Sequence, residues 1–263
     1  MASSASATLD DCNVSDSAWA CVLVSDRGTG NLSGCTLYEG VRNALQVLGT
    51  GTNVHATKFH FRQNRKGAVV SGGATLTAVA CKSSQNSIAG FAAIGKAGAP
   101  TPVSVLELID CTSDSNGVGC SACHGEVRAT RVEVTNSSGT GYDVGPWGNM
   151  VLTDCSAEYC QGHGVYSSVA AKVNAEGCTF QQNGAYGVLA VATAEVTVKG
   201  CHSFQHTTAG FCSVGGAQMK VSSSVSEGDK QGCSVDDTGQ LTMEDVTVDG
   251  TLQSGPRHGR CVW

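Results

Sequence analysis

The sequence predicts an all-β solenoid, in which short strands stack coil upon coil into three short parallel sheets. Three features predict this fold: a repeat of about 23 residues, an alternation of apolar and polar residues within each repeat, and glycine or asparagine between the alternating stretches. A chain of 263 residues then forms one domain, residues 1–263, of about eleven coils.

The repeat is visible where KVNAEGCTFQQNGAYG (172–187) is followed by EVTVKGCHSFQHTTAG (195–210). Both segments carry an apolar strand, Gly-Cys, a polar turn and Gly. Successive copies of the cysteine position lie 21 to 24 residues apart, except for one step of 30 that contains a Gly/Ala/Pro-rich insertion loop at 95–102. We call this position the anchor, and its occupants are Cys12, Cys35, Phe59, Cys81, Cys111, Val132, Cys155, Cys178, Cys201, Ser224 and Val246.

Each repeat is expected to form three strands. Apolar residues stand five and three positions before the anchor, as Val196 and Val198 do around Thr197, which is the period-two pattern of a strand. A second apolar pair follows the anchor, and a third stretch opens after a glycine. Such a coil can bury its apolar side chains only against the next coil. With rungs about 4.8 Å apart, eleven coils make a rod about 50 Å long.

Asparagine recurs five residues after the anchor. Because asparagine tolerates the left-handed region and bonds its own backbone, we expect it to occupy a tight turn there. The alternation, the Val/Thr content and these turns disfavour a helical solenoid. The asparagines are Asn64, Asn86, Asn116 and Asn183.

With these repeats, the chain resembles the right-handed parallel β-helix superfamily, which has the pectate-lyase-like fold. The resemblance covers essentially residues 5–255. The resemblance is strong evidence for the architecture and weak evidence for the function, because proteins with this fold have many different functions.

Seven of the fourteen cysteines occupy the anchor, a position that also accepts phenylalanine, valine and serine. Cysteine therefore acts there as a small apolar residue facing the interior. Parallel side chains on neighbouring rungs do not give the geometry that a disulfide requires. We expect buried free thiols and an intracellular, reducing compartment; the alternative is a secreted protein with bridges among the other cysteines.

Composition excludes several classes of protein. The formal net charge is −6 and only 14% of residues are charged, so we expect no basic face and no nucleic-acid partner. No apolar run is long enough to span a bilayer. The first residues, MASSASATLDD, lack the features of a secretory signal. We also expect no cofactor.

Gly162, His163 and Gly164 form a Gly-His-Gly segment similar to one that polygalacturonases of this fold carry beside their catalytic aspartates. Hydrolysis of that kind needs two carboxylates on adjacent coils. Only Asp143 stands nearby, so Asp143 and His163 are weak catalytic candidates and no catalytic residue is predicted. We expect His163 to be a turn residue before a third strand.

The resemblance to pectate lyases implies clustered acids and a basic residue on the outward face of the third sheet. Two columns of that face contain one acid, and we interpret them as an exposed apolar strip. A register shift by one residue would turn these residues inward. One column holds Leu23, Gln46, Val70, Ala92, Asp143, Tyr166, Leu189 and Cys212; the other holds Ser25, Leu48, Ile94, Ser168, Val191 and Val214. The binding candidates are Leu23, Asp143, Trp147, Tyr166 and Leu189.

The segment CSACH contains Cys120, Cys123 and His124. It matches the attachment pattern of haem c and half of a zinc site, and these three residues are weak metal candidates. Because two further ligands are missing nearby, we expect a cysteine-rich strand and no metal.

These observations predict a non-enzymatic β-helix scaffold or recognition module that binds a protein partner along a sheet face or edge. One alternative is a carbohydrate-active protein, either a polysaccharide lyase or hydrolase or a glycan-binding relative. A further alternative is a structural component of a large assembly or virion fibre. Because no capping helix is visible at either end, we expect flanking domains or an assembly to cover the strand edges.

Overall fold

The computed structural model describes residues 5–98 and 103–249, and the backbone of 251–254 and 260–262. The chain winds through three sheets in the same order on every coil, and each strand pairs in parallel with the strands one coil before and after it. The described residues contain no helix, and so none that could cross a membrane. The prediction of an all-β parallel β-helix with three sheets is confirmed.

The first sheet has twelve strands. They are β1 (Ser6–Asp10), β4 (Thr29–Ser33), β7 (Asn53–Thr57), β10 (Thr75–Val79), β13 (Val105–Ile109), β16 (Glu126–Thr130), β19 (Asn149–Thr153), β22 (Lys172–Glu176), β25 (Glu195–Lys199), β28 (Gln218–Ser222), β31 (Gln240–Glu244) and β34 (Arg260–Val262).

The second sheet has eleven strands, mostly of three residues. They are β2 (Asn13–Ser15), β5 (Thr36–Tyr38), β8 (His60–Arg62), β11 (Lys82–Ser84), β14 (Thr112–Asp114), β17 (Glu133–Thr135), β20 (Ser156–Glu158), β23 (Thr179–Gln181), β26 (His202–Phe204), β29 (Val225–Glu227) and β32 (Thr247–Val248).

The third sheet also has eleven strands. They are β3 (Ala20–Val24), β6 (Asn43–Leu48), β9 (Lys66–Ser71), β12 (Ala89–Ile94), β15 (Val118–Cys123), β18 (Tyr142–Val144), β21 (Val165–Ser167), β24 (Tyr186–Val191), β27 (Ala209–Val214), β30 (Gln231–Asp236) and β33 (Thr251–Ser254). The predicted insertion loop lies between β12 and β13, and the structure describes it up to residue 98 and from residue 103.

The anchor is an inward position just after the first sheet. One residue in the left-handed region precedes each anchor, as Asp154 (φ 52°) precedes Cys155. The turn points the Cys155 side chain into the core, where its thiol donates to the carbonyl oxygen of Ala129 at 3.4 Å. Small and apolar side chains suit this position because every coil brings it to the same place in the interior.

Thirteen cysteines are described, and none of them forms a disulfide. Ten are buried, including the anchors from Cys35 to Cys201. Burial raises the pKa of the Cys212 thiol to about 11 and raises that of Cys160 as well. The redox state and the compartment stay predictions.

Asparagine lies in the turn between the second and third sheets, as expected, but it does not adopt the left-handed conformation. The left-handed residue is the one before it, such as Gln85 (φ 54°), and Asn86 itself is buried. The Asn86 carboxamide accepts the backbone N–H of Asn64 at 3.0 Å and donates to Asn116 Oδ1 at 2.9 Å. Asparagine recurs because its amide satisfies backbone groups on neighbouring coils inside the solenoid.

The same ladder continues with other side chains in later coils. Asn183 N–H donates to His206 Nδ1 at 3.1 Å, and His206 N–H donates to Asp229 Oδ1 at 2.6 Å. His206 Nε2 contacts the carbonyl oxygen of Phe180 at 3.0 Å, which fits a neutral imidazole protonated at Nε2. His206 and Asp229 therefore accept the N–H that an asparagine side chain accepts in the earlier coils.

Glycine opens the third sheet for a packing reason. A Cβ at Gly90 would collide with Ser113 Oγ on the next coil and lie 2.7 Å from the carbonyl oxygen of Gly119. Ser83 Oγ donates to the Gly90 carbonyl oxygen at 3.0 Å. The backbone therefore approaches the neighbouring coil too closely for any side chain at this position.

Candidate functional site

The third sheet carries most of the predicted binding residues, and its register corrects one of the predicted columns. Val69, and not Val70, pairs with Gln46 and with Ala92. Val70 faces the core. This coil has one residue fewer between its anchor and the third sheet than its neighbours, which shifted the predicted alignment by one. The outward column is Leu23, Gln46, Val69, Ala92, Ser121, Asp143, Tyr166, Leu189, Cys212 and Ser234.

The prediction of an exposed apolar strip is wrong for most of this column. Ala92, Cys212 and Leu189 are buried, although they point away from the core cluster. Outward side chains on neighbouring rungs lie only about 4.8 Å apart and cover one another. Leu23 is an exception at 50% exposure, since it lies on the first coil of the sheet. In the second column, Leu48 is 38% exposed.

Asp143 and Tyr166 are neighbours in the outward column, in register on adjacent strands. Burial raises the pKa of the Asp143 carboxyl. The other neighbour of Asp143 in the column is Ser121, so no second carboxylate stands beside it. The two carboxylates that glycoside hydrolysis requires are therefore not brought together on this face.

His163 lies in the turn before β21, as predicted. Its ring stacks on Tyr166 with centroids 5.6 Å apart and lies 5.4 Å from the ring of Tyr186. Its Nδ1 is buried and has no hydrogen-bond partner in the described part of the chain. Burial lowers the pKa of the imidazole. His163 therefore packs between aromatic rings as a neutral side chain.

The CSACH residues point to different places. Cys120 lies in the core, and Cys123 is half-buried at the end of β15. His124 follows in a left-handed turn (φ 50°). No group of three or more potential metal ligands occurs among the described residues. Alternation along the strand turns Cys120 inward and Cys123 outward, and His124 lies beyond the end of the strand, so the three residues do not converge on one point.

Trp147 stands beside a cavity at the edge between the third and first sheets. The indole is 61% exposed and stacks on His124, with centroids 5.1 Å apart and planes inclined by 17°. The cavity has a volume of about 690 Å³. Its lining includes Ile94, Lys96, Val103, Ser104, His124 and Trp147.

The insertion loop builds one wall of this cavity, and Ser104 ties the loop to the solenoid. Ser104 Oγ donates to the carbonyl oxygen of Ile94 at 3.0 Å and accepts from Gly73 N–H at 3.1 Å. The insertion and Trp147 were therefore separate sequence features that the fold brings together.

A second exposed surface lies at the corner between the second and third sheets, on the first four coils. Trp19 is 54% exposed, Val41 69% and Ile88 38%. Val41 N–H donates to the carbonyl oxygen of Ser17, which places Val41 one rung from the Trp19 turn. The guanidinium of Arg42 lies 4.0 Å from the Trp19 ring centroid. We call Trp19, Tyr38, Val41, Arg42, Arg62, Arg65, Lys66, Lys82 and Ile88 the corner surface.

Sequence reasoning missed the corner surface because it aligned strands and treated the turns between them as spacers. A signal was present: later coils place small or polar residues at this corner, such as Gly117, Gln161 and Gly184, where the first coils place large ones. The Trp19 side chain projects from a turn, so strand periodicity cannot show its direction.

Comparisons with known proteins agree with this architecture. A family model described as "Right handed beta helix region" matches residues 1–105 and 116–257. A solved structure of the A-module of a mannuronan C-5 epimerase from Azotobacter vinelandii is similar over 89% of both chains, with a TM-score of 0.52 and 14% sequence identity. At that identity the likeness shows the fold alone. No curated protein matches the sequence. Because the family model covers nearly the whole chain, the protein belongs to the right-handed β-helix family.

Proposed function

We propose that this β-helix is a non-enzymatic recognition module that binds a protein partner through the corner surface. The observation that carries this proposal is the exposure of Trp19, Val41 and Ile88 at one corner of the solenoid, on its first, second and fourth coils. Large apolar side chains grouped on a surface mark interaction sites. Tryptophan, tyrosine and arginine are also the residues that dominate the binding energy of protein interfaces.

The geometry of the third sheet supports recognition over catalysis. Asp143 has no second acid beside it in the outward column, and His163 packs between two tyrosine rings. A hydrolase or lyase would need acid and base groups held around one point of the substrate.

The test is capture of a partner from the source organism by immobilised protein, comparing three forms of the chain. The double variant Trp19→Ala/Val41→Ser removes the apolar centre of the corner surface. The matched control, Trp147→Ala, removes an exposed indole at the other edge of the third sheet. The captured protein is then purified and its affinity for each form is measured by calorimetry.

We expect the double variant to weaken binding at least tenfold and the control to bind like the unaltered chain, because truncating a central interface residue typically costs about 2 kcal/mol or more. Equal affinity for all three forms overturns the proposal. Loss of binding in the Trp147 variant alone also overturns it and moves the site to the cavity.

A second candidate function, glycan binding at the Trp147 cavity, is favoured by a different observation. The exposed indole is held flat by His124 and borders an open cavity with a cation, Lys96. The structural neighbour is by name an enzyme that acts on mannuronan, which is a polysaccharide. Titration with mannuronan oligomers, followed by tryptophan fluorescence, tests this candidate: a saturable change that Trp147→Ala abolishes supports glycan binding, and an unchanged spectrum contradicts it.

A further inference from the structure

The charges of this chain are segregated along the rod. Residues 27–106 contain eight of the 16 Lys and Arg residues and only one of the 22 Asp and Glu residues, Glu39. The net charge of −6 therefore conceals a basic stretch inside an acidic chain. The expectation that no basic face is present, which rested on the net charge, does not hold for these coils.

Five of the eight cations belong to the corner surface. Arg42 and Arg65 are exposed in the turn between the second and third sheets. Arg62 and Lys82 project outward from adjacent strands of the second sheet, β8 and β11. Lys66 opens β9 in the third sheet. The five charges thus lie on three consecutive coils, four of them around this corner and Lys82 at the opposite end of the second sheet, in register with His60.

These cations lack acidic partners, in contrast to those of the later coils. No carboxylate lies within 4.0 Å of any of the five among the residues that the structure describes. Later coils pair their cations across the rungs: Lys172 with Glu195 at 2.8 Å, Lys199 with Glu176 at 2.8 Å, Arg131 with Asp110 at 2.6 Å, and Lys220 with Glu244 at 3.6 Å. The first two coils do carry acids, but none of these lies within 4.0 Å of the five cations; they are Asp10, Asp11, Asp16, Asp26 and Glu39.

The positive charges without acidic partners contribute to lowered pKa values of neighbouring basic groups. The pKa of Lys66 is lowered by burial and, next, by the positive charge of Arg65. The pKa of His60 is lowered by burial and then by Arg62 and Lys82. Like charges held this close favour an anionic partner, which relieves their repulsion.

Two aromatic rings hold the guanidinium groups in place. Arg42 lies 4.0 Å from the centroid of Trp19, and Arg62 lies 4.5 Å from the centroid of Tyr38. A guanidinium on a ring face keeps the N–H donors at its edge free for a planar acceptor. Carboxylates fit this edge with two parallel hydrogen bonds.

We propose that the corner surface binds an acidic segment of a partner protein, with carboxylates on Arg42, Arg62 and Arg65 and apolar side chains against Val41 and Ile88. This inference rests on the proposed function and names the chemistry of its partner. Exposed aliphatic side chains beside the arginines match a polypeptide, which supplies both kinds of group. The acidic later coils would repel a nucleic-acid duplex that extends beyond these three rungs.

The probe is a fluorescein-labelled peptide of twelve residues with six glutamates, three leucines and one tryptophan, paired with a peptide in which glutamine replaces every glutamate. Binding is measured by fluorescence anisotropy at 50 and 300 mM NaCl. The test variant is Arg42→Gln/Arg62→Gln/Arg65→Gln. The matched control, Lys172→Gln/Lys199→Gln/Lys220→Gln, removes the same number of charges from the later coils.

We expect the acidic peptide to bind at least tenfold more tightly than its glutamine counterpart, with weaker binding at high salt. The arginine variant should lose at least tenfold in affinity, and the lysine variant less than threefold. Equal binding by the two variants overturns the inference. So does tighter binding of polygalacturonate or a twelve-nucleotide single strand than of the peptide, or a self-association in sedimentation that the arginine variant abolishes.

The capture experiment separates this inference from the proposed function. Suppose that Trp19→Ala/Val41→Ser releases the partner and the arginine variant retains it at full affinity. The corner surface then binds a protein, but the inference that it recognises an acidic segment is overturned. If neither variant changes the affinity for the captured partner, both proposals fail.

Discussion

The buried asparagine ladder gives the sharpest stability prediction, for Asn86→Ala. Asn86 accepts the backbone N–H of Asn64 at 3.0 Å and donates to the carbonyl oxygen of Phe61 at 3.1 Å, to Ser83 Oγ at 3.0 Å and to Asn116 Oδ1 at 2.9 Å. Alanine removes all of these bonds at once. It also leaves the Asn64 N–H buried without the acceptor that it has in the native chain.

An orphaned buried donor costs about 1–3 kcal/mol, and the two N–H groups of the amide lose bonds of about 1 kcal/mol net each, so the free energy of unfolding should fall by about 3–5 kcal/mol. With an m-value of about 3 kcal/mol/M, the urea midpoint falls by about 1–2 M. The assay is urea unfolding followed by circular dichroism.

The matched control is Asn174→Ala, the same substitution at an exposed, outward position of β22. Its midpoint should stay within the range of about 0.5 kcal/mol expected for surface changes. If Asn86→Ala and Asn174→Ala have the same midpoint, the asparagine ladder does not stabilise the coils and the reasoning is refuted.

Three further predictions concern packing, pH and the thiols. Gly90→Ala should destabilise the fold by about 1–3 kcal/mol through overpacking against the next coil, whereas Gly30→Ala, where the nearest atom is 3.4 Å away, should be tolerated; urea midpoints that match would contradict this. Because burial lowers the pKa of His163 below its ordinary value of 6.5, the unfolded chain binds more protons in that window, so stability should fall as the pH drops below about 7; a His163→Asn variant with an undiminished slope would exclude His163 as a source. In reduced native protein, maleimide labelling read by mass spectrometry should be fast only at the half-buried thiols, and rapid labelling at the buried anchors would contradict the ladder. Among the thirteen described cysteines, the half-buried thiols are those of Cys12, Cys21 and Cys123.

The repeat made the fold predictable because each coil repeats the same physical problem. The apolar pair around Thr197 and the small anchor at Cys201 recur at nearly fixed spacing, and only stacked parallel strands bury such a pattern. The error at Val70 shows the limit of this reasoning. When a turn is one residue shorter, an alignment that ignores this assigns every side chain of the following strand to the wrong face. The sequence alone does not show which turn is the shorter one.

The candidate sites were less predictable because they depend on turns and on neighbours across coils. Trp147 was singled out as an aromatic near the third sheet, yet its partner His124 came from the preceding coil and was considered as a metal ligand. The role of Asn86 was misassigned because a buried amide ladder and an exposed turn favour the same residue type. The contrast in charge between residues 27–106 and the rest of the chain was present in the sequence, but the net charge does not show it.

Site-specific photo-crosslinking tests the central claim most directly. A photoreactive phenylalanine analogue is placed at Val41 in the corner surface or at Gln161, which occupies the same corner on a later coil. Irradiation in an extract of the source organism should yield one major crosslinked protein from position 41, suppressed by Trp19→Ala, and none from position 161. Equal crosslinking from both positions, or a product from position 41 that persists with Trp19→Ala, would contradict recognition through the corner surface.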